Sequence, residues 1–134
     1  MKPVNSFPAI LLENQSERVL VLADLHIGWE LTLAQRGIHI PSQTPRLLQK
    51  TIDAIHESNP TSIIILGDVK HAVEKIALQE WRDVPLFFEK VSELVSDVHV
   101  VPGNHDGNLE ALVTPNVKIH SSSGMLLWGN IGLI

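Results

Sequence analysis

The sequence predicts an α/β domain, and three observations carry that expectation. First, three short apolar runs stand out: Val19-Leu20-Val21-Leu22-Ala23, Ile63-Ile64-Ile65-Leu66 and Val98-His99-Val100-Val101. Unbroken runs of β-branched and leucine residues bounded by turn signals read as strands buried on both faces. Second, segments with helical periodicity separate these runs, as parallel strands require. Third, each run ends abruptly in polar groups: Asp24-Leu25-His26, Gly67-Asp68 and Pro102-Gly103-Asn104-His105-Asp106. Sites in open α/β sheets lie beyond the carboxyl ends of the strands, so the three endings describe one site.

The elements follow in order. Pro8-Ala9-Ile10-Leu11-Leu12, a polar turn at Asn14-Gln15-Ser16-Glu17 and the first core run form an opening β-hairpin. A short helix is expected between Trp29 and Arg36, closed by Gly37 at its C′ position. After a loop from Ile38 to Gln43, Thr44 as N-cap and Pro45 at the first helical position start a second helix. Its apolar face is Leu47, Leu48, Ile52 and Ile55, and Asn59-Pro60 ends it, completing a crossover between parallel strands. A polar loop is expected from Val69 to Lys75. A third helix follows from near Asp83 to Ser96, with Pro85 in its first turn and Leu86, Phe87, Val91, Leu94 and Val95 as its stripe. Beyond the third strand lie one or two helical turns from Asn108 to Val113. Short strands come next at Val117-Lys118-Ile119, Met125 to Trp128 and Ile131 to Ile134. The last of these reads as the middle of a buried strand, so the chain is expected to be the N-terminal portion of a longer domain.

Composition narrows the class. At 134 residues with 44% apolar content, one domain with a real core is expected. No apolar stretch approaches the ~20 residues that span a bilayer, and residues 1–8 lack a signal-peptide core, so a cytoplasmic protein with no membrane partner is expected. With no cysteine there is neither a disulfide framework nor a thiolate metal site. A net charge of −5 argues against a broad nucleic-acid-binding face. Nucleic acid stays open as a substrate, because bound divalent cations would invert the local field.

The strand-end residues suit metal chemistry. Asp24 and His26 are two apart, so both can face one side, and mixed oxygen and imidazole donors suit first-row divalent ions such as Mn²⁺, Fe²⁺ or Zn²⁺. Asp68, after a glycine at a strand end, is placed for a carboxylate that bridges two ions. Asn104 offers a neutral oxygen, His105 can hold a proton near neutral pH, and Asp106 can orient that imidazole. Each motif alone would be a polar turn. Their occurrence in order at consecutive strand ends points to a metal site. His71 is a candidate substrate contact close after Asp68. His39, His56 and His99 read as loop, helix-surface and strand residues without a partner, and His120, which could serve as a further ligand, reads as an exposed strand end beside Lys118 and the serines at 121–123. Lys70 and Arg36 read as solvated cations, and Trp29, Trp81 and Trp128 as packing residues.

Asp24-x-His26, Gly67-Asp68 and Gly103-Asn104-His105-Asp106 together resemble the calcineurin-like metallophosphoesterases. Residues 23–28, 37–41 and 67–71 resemble the branch of archaeal phosphoesterases and DNA-ligase-associated metallophosphoesterases. The resemblance implies the N-terminal portion of a metallophosphoesterase-type β-sandwich flanked by helices. It implies an enzyme that hydrolyses phosphomonoesters or phosphodiesters, such as a nuclease or nucleotide phosphodiesterase, through two divalent ions, with Mn²⁺ favoured over Fe²⁺ or Zn²⁺. By resemblance Asp24 and His26 hold the first ion, Asp68 bridges, Asn104 holds the second, and His105 serves the leaving oxygen while a metal-bound hydroxide attacks. Two later histidine motifs of the family are missing. Four ligands are too few for two ions that each take about four to six, so this chain by itself is expected to bind metal weakly and turn over poorly. A fold-retaining regulatory protein and one half of a split enzyme are the alternative classes.

Overall fold

Side chains alternate between two faces along each strand, and that alternation decides where every other element packs. The computed structural model describes residues 1–72 and 78–134. Strands β1 (Lys2–Val4), β2 (Ala9–Glu13), β3 (Arg18–Ala23), β4 (Ser62–Leu66), β5 (Val98–Val101) and β6 (Val117–Ile119) form one six-stranded sheet in that spatial order. Neighbours from β1 to β3 are antiparallel and those from β3 to β6 are parallel. The three core runs are thus adjacent parallel strands, and their carboxyl ends lie side by side.

One face carries Leu20, Leu22, Ile63, Ile65, Val98 and Val100. Against it pack helix α2 (Thr44–Ser58) through Ala54 and Ile55, and helix α3 (Leu78–Leu94) through Val84, Phe87, Phe88 and Val91. The other face carries Leu12, Val19, Val21 and Ile64, covered in part by a hairpin of β7 (Met125–Leu127) and β8 (Ile131–Leu133). A short α1 (Glu30–Gln35) and a 3₁₀ turn (Leu109–Ala111) fill the connections at the carboxyl end of the sheet.

Most elements fall where the sequence places them, and the differences have physical causes. The sheet gains β1, which the sequence reading leaves unassigned. Helix α2 is capped at Gln43 without a side-chain bond, because the Thr44 hydroxyl donates instead to Asp83 Oδ2 at 3.0 Å. Asn59, left-handed at φ 45°, closes that helix as expected. Helix α3 starts no later than Leu78, so Pro85 lies in its interior rather than its first turn. Burial of Glu80, Asp83 and Val84 holds the turns before Pro85. The buried stripe is therefore Glu80, Asp83, Val84, Phe87, Phe88 and Val91, while Leu86 and Leu94, expected inside, are 39% and 46% exposed. Of the expected loop from Val69 to Lys75, residues 73–75 lie outside the described residues. Trp29 and Trp81 are 38% and 51% exposed, not packing residues. Trp128 is half-buried and donates its indole N–H to Glu17 at 2.6 Å. Among the described residues no helix is long and apolar enough to cross a membrane.

Candidate metal centre

Parallel pairing continues past the ends of β3 and β4. The amide of His26 donates to the Asp68 carbonyl at 2.8 Å, that of Ile27 to the Val69 carbonyl at 2.8 Å, and that of His71 back to Ile27 at 3.0 Å. An isolated bridge joins Ile27 to Lys70. The loops carrying Asp24, His26, Asp68 and His71 are thereby fixed against each other. The third loop is tied in by Asp68 itself, whose Oδ1 accepts the His105 amide at 2.9 Å.

The backbone at these strand ends is unusual. Asp24, His26 and Asp68 have φ of 51°, 48° and 45°. Left-handed backbone costs a non-glycine residue on the order of 1–3 kcal/mol and gathers at functional sites, with Asp, Asn and His the residues that tolerate it best. At these points side chains two residues apart, Asp24 and His26, converge. Asp24, His26 and Asp68 each place a donor atom within 4.8 Å of the others, and His26 Nε2 lies 3.9 Å from Asp68 Oδ2. Two carboxylates and an imidazole on one small locus fit a first-row divalent ion. Asp24, Asp68 and the exposed Asn104 share a cleft of about 640 Å³ at the carboxyl ends of the strands.

Asp24, His26 and Asp68 therefore come together, Asn104 shares their cleft, and Asp106 is turned elsewhere than expected. Asp106 does not touch the His105 imidazole. Its Oδ2 accepts the Gly103 amide at 2.8 Å and its Oδ1 the Lys70 amide at 3.2 Å, so it joins two loops rather than orienting the ring. Burial pushes its carboxyl above the usual carboxylate range, against the pull of those backbone bonds. The group that orients His105 is the His71 carbonyl, which its Nδ1 contacts. A carbonyl only accepts, so Nδ1 carries the proton and Nε2 keeps its lone pair. Lys70, expected to be solvated, is fully buried, with its ammonium on the Ala72 carbonyl.

His71 joins the site. Its imidazole lies with those of His26 and His105 in a second group whose donor atoms are all within 4.8 Å. Burial, then the neighbouring His26 and His105, hold the His71 pKa below its usual value, which leaves a lone pair available at neutral pH. The loop is set by Glu80, a fully buried carboxylate on α3 whose Oε2 accepts the amides of His71 and Ala72, each at 2.9 Å. Sequence reasoning misses Glu80, and its one signal is an acid at the position where the helical stripe demands an apolar residue. His39 and His56 are exposed as expected. By contrast His99, read as unpartnered, and His120, read as an exposed strand end, are paired: His99 Nε2 meets Asp97 at 3.1 Å and its Nδ1 meets His120 Nε2 at 2.8 Å.

A mixed sheet that gathers carboxylates and imidazoles where its parallel strands end defines an α/β protein with donor groups placed where they could hold a cation. The chain belongs to the calcineurin-like phosphoesterases, whose family model matches residues 17–131. The fold is also that of a solved nuclease, MPE of Pseudomonas putida, at a TM-score of 0.60 and 21% identity, over 90% of this chain and 62% of that one. The chain thus spans somewhat less than two thirds of that nuclease. No curated protein matches the chain.

Proposed function

We propose that Asp24, His26, Asp68 and Asn104 contribute ligands to a two-cation centre, Mn²⁺ the favoured ion, that hydrolyses phosphate esters, the chain by itself binding metal weakly and turning over poorly because four ligands are too few for two ions. The convergence of Asp24, His26 and Asp68 donors at the ends of adjacent parallel strands carries this reading. When bound, the ions would lower the pKa of a water near pH 7 and neutralise charge on the ester. The chain's own groups do the rest. Asp68 has one oxygen toward His26 and the other on the His105 amide, so the residue that would bridge the ions also sets the height of the His105 ring. His105, its Nδ1 proton held by the His71 carbonyl, keeps Nε2 free to hand a proton to a leaving oxygen when protonated. His71 stands beside it as a contact for the ester. Nucleic acid or a nucleotide is the substrate class proposed, in keeping with membership of the family and the fold shared with a nuclease. A cytoplasmic location is in keeping with that substrate.

The test is Mn²⁺-dependent hydrolysis of a chromogenic aryl phosphodiester, run beside calorimetric Mn²⁺ binding. Asp68→Asn keeps the shape and the left-handed backbone while removing the charge, so it is expected to weaken Mn²⁺ and abolish turnover together. Equal Mn²⁺ affinity and turnover in Asp68→Asn would overturn the proposal, as would the absence of any Mn²⁺ binding.

A further inference from the structure

We propose that His26, His71 and His105 form a second cation site, made of nitrogen donors alone, that takes a zinc-class ion and competes with the carboxylate centre for His26. The geometry is that of a three-histidine zinc site. With Zn–N near 2.0–2.1 Å, two nitrogens on one tetrahedral ion stand about 3.4 Å apart. His26 Nδ1 and His71 Nδ1 are 3.4 Å apart. An imidazole centre lies roughly 1.1 Å beyond its ligating nitrogen, so three rings on one such ion have centres about 5.2 Å apart. The three ring centres here are separated by 5.4, 5.3 and 5.5 Å, a nearly equilateral triangle.

The triangle is held by groups outside it. Glu80 fixes the His71 amide, Asp68 the His105 amide, and the Asp68 carbonyl the His26 amide. It also has its own access. His71 and His105 line a cleft of about 290 Å³ with Gly28, Leu31 and Gln35, separate from the larger cleft lined by Asp24, Asp68 and Asn104.

Competition follows from the imidazole itself. A neutral ring has one free lone pair, so His26 serves one ion at a time: through Nε2 toward Asp68, or through Nδ1 toward His71. Nitrogen donors favour zinc over manganese, whereas carboxylate oxygens suit manganese. Zinc in the histidine triangle would therefore take His26 from the carboxylate centre and occupy His71 and His105 at once. The competitive half of the proposal rests on the metal-centre reading above; the triangle does not.

Zinc and manganese binding are measured separately by equilibrium dialysis on the whole chain, with Co²⁺ absorption as the report of a tetrahedral nitrogen site. In His71→Asn zinc affinity is expected to fall about tenfold or more, with the tetrahedral Co²⁺ bands lost and Mn²⁺ affinity kept. In Asp68→Asn the pattern reverses. Zinc bound to the wild-type chain is expected to weaken Mn²⁺. Zinc binding that follows Asp68 and ignores His71, or zinc and manganese bound together without mutual loss, overturns the proposal. Zinc that needs His71 in a chain that binds no Mn²⁺ upholds the triangle and removes the phosphoesterase reading instead. Circular dichroism checks folding, and His105→Asn replaces His71→Asn should the latter not fold.

Discussion

Gly103→Ala probes whether the strand-end loops are packed as tightly as the site requires. A Cβ at Gly103 would stand 2.5 Å from the Asp68 amide nitrogen and 2.9 Å from the Gly67 Cα, both backbone atoms that no rotamer change can move. Reaching van der Waals separation takes about 1 Å of retreat between the loops after β4 and β5. Overpacking of this kind costs about 1–3 kcal/mol, and backbone on both sides puts this site toward the upper end. In a domain of this size that lowers the melting temperature by on the order of 10 °C. The displaced atom belongs to Asp68, so Mn²⁺ affinity is expected to fall about tenfold or more as well. Gly37→Ala is the control. Gly37 has φ 84°, and a methyl group there would meet nothing within 4 Å, so the change costs only the left-handed penalty of about 1–2 kcal/mol and leaves Mn²⁺ binding alone. Thermal melts and calorimetry on both variants decide the matter. Gly103→Ala melting with the wild type and binding Mn²⁺ equally would refute the reasoning that these loops meet backbone to backbone.

Other expectations rest on different parts of the molecule. Phe88→Ala should cost about 3–5 kcal/mol in denaturant unfolding, against no more than about 0.5 kcal/mol for the exposed Leu94→Ala; comparable losses would restore the stripe that the sequence alone predicts. Glu80→Ala removes the acceptor of two amides and should cost about 3 kcal/mol or more, hydrogen bonds to a charged group contributing roughly 1.5–3 kcal/mol each. Glu80→Gln keeps an acceptor oxygen and should recover part of that. At the far edge of the sheet, burial, then His99 and Lys118, hold the His120 pKa below its usual value, with Asp97 the one carboxylate in the group. The unfolded chain therefore takes up this proton first as pH falls through about 6.5, and stability declines from there until the lower folded-state pKa is passed. Melts between pH 7.5 and 5 should show that slope in the wild type and a flatter one in His120→Gln.

The parallel strands are legible in the sequence because their residues can do little else. Ile63, Ile64 and Ile65 are buried whichever face they turn, and each polar ending marks where the sheet stops. The site follows from the same logic, since adjacent strand ends leave their loops nowhere else to go. What stays hidden depends on contacts between distant residues. The true stripe of α3 contains Glu80 and Asp83, and acids do not count toward an apolar pattern although their partners, the His71 amide and the Thr44 hydroxyl, make burial tolerable. The role of Asp106 is not readable because proximity in sequence to His105 says nothing of direction, and the carboxylate turns toward Gly103 and Lys70. His99 and His120 look solitary because their meeting needs the register of β5 against β6, which sets His99 beside Lys118 and brings His120 to it on the diagonal.

The bonds that carry β3–β4 pairing beyond the strands into Ile27, Val69 and His71 have a dynamic consequence. Surface loops ordinarily exchange their amide hydrogens quickly, whereas amides locked in a ladder wait for the sheet to open. The protons on His26, Ile27 and His71 should exchange on the slow timescale of the strands behind them, with or without cations. A donor set of that kind arrives at its ligand already assembled, and little of the binding energy goes into ordering the chain.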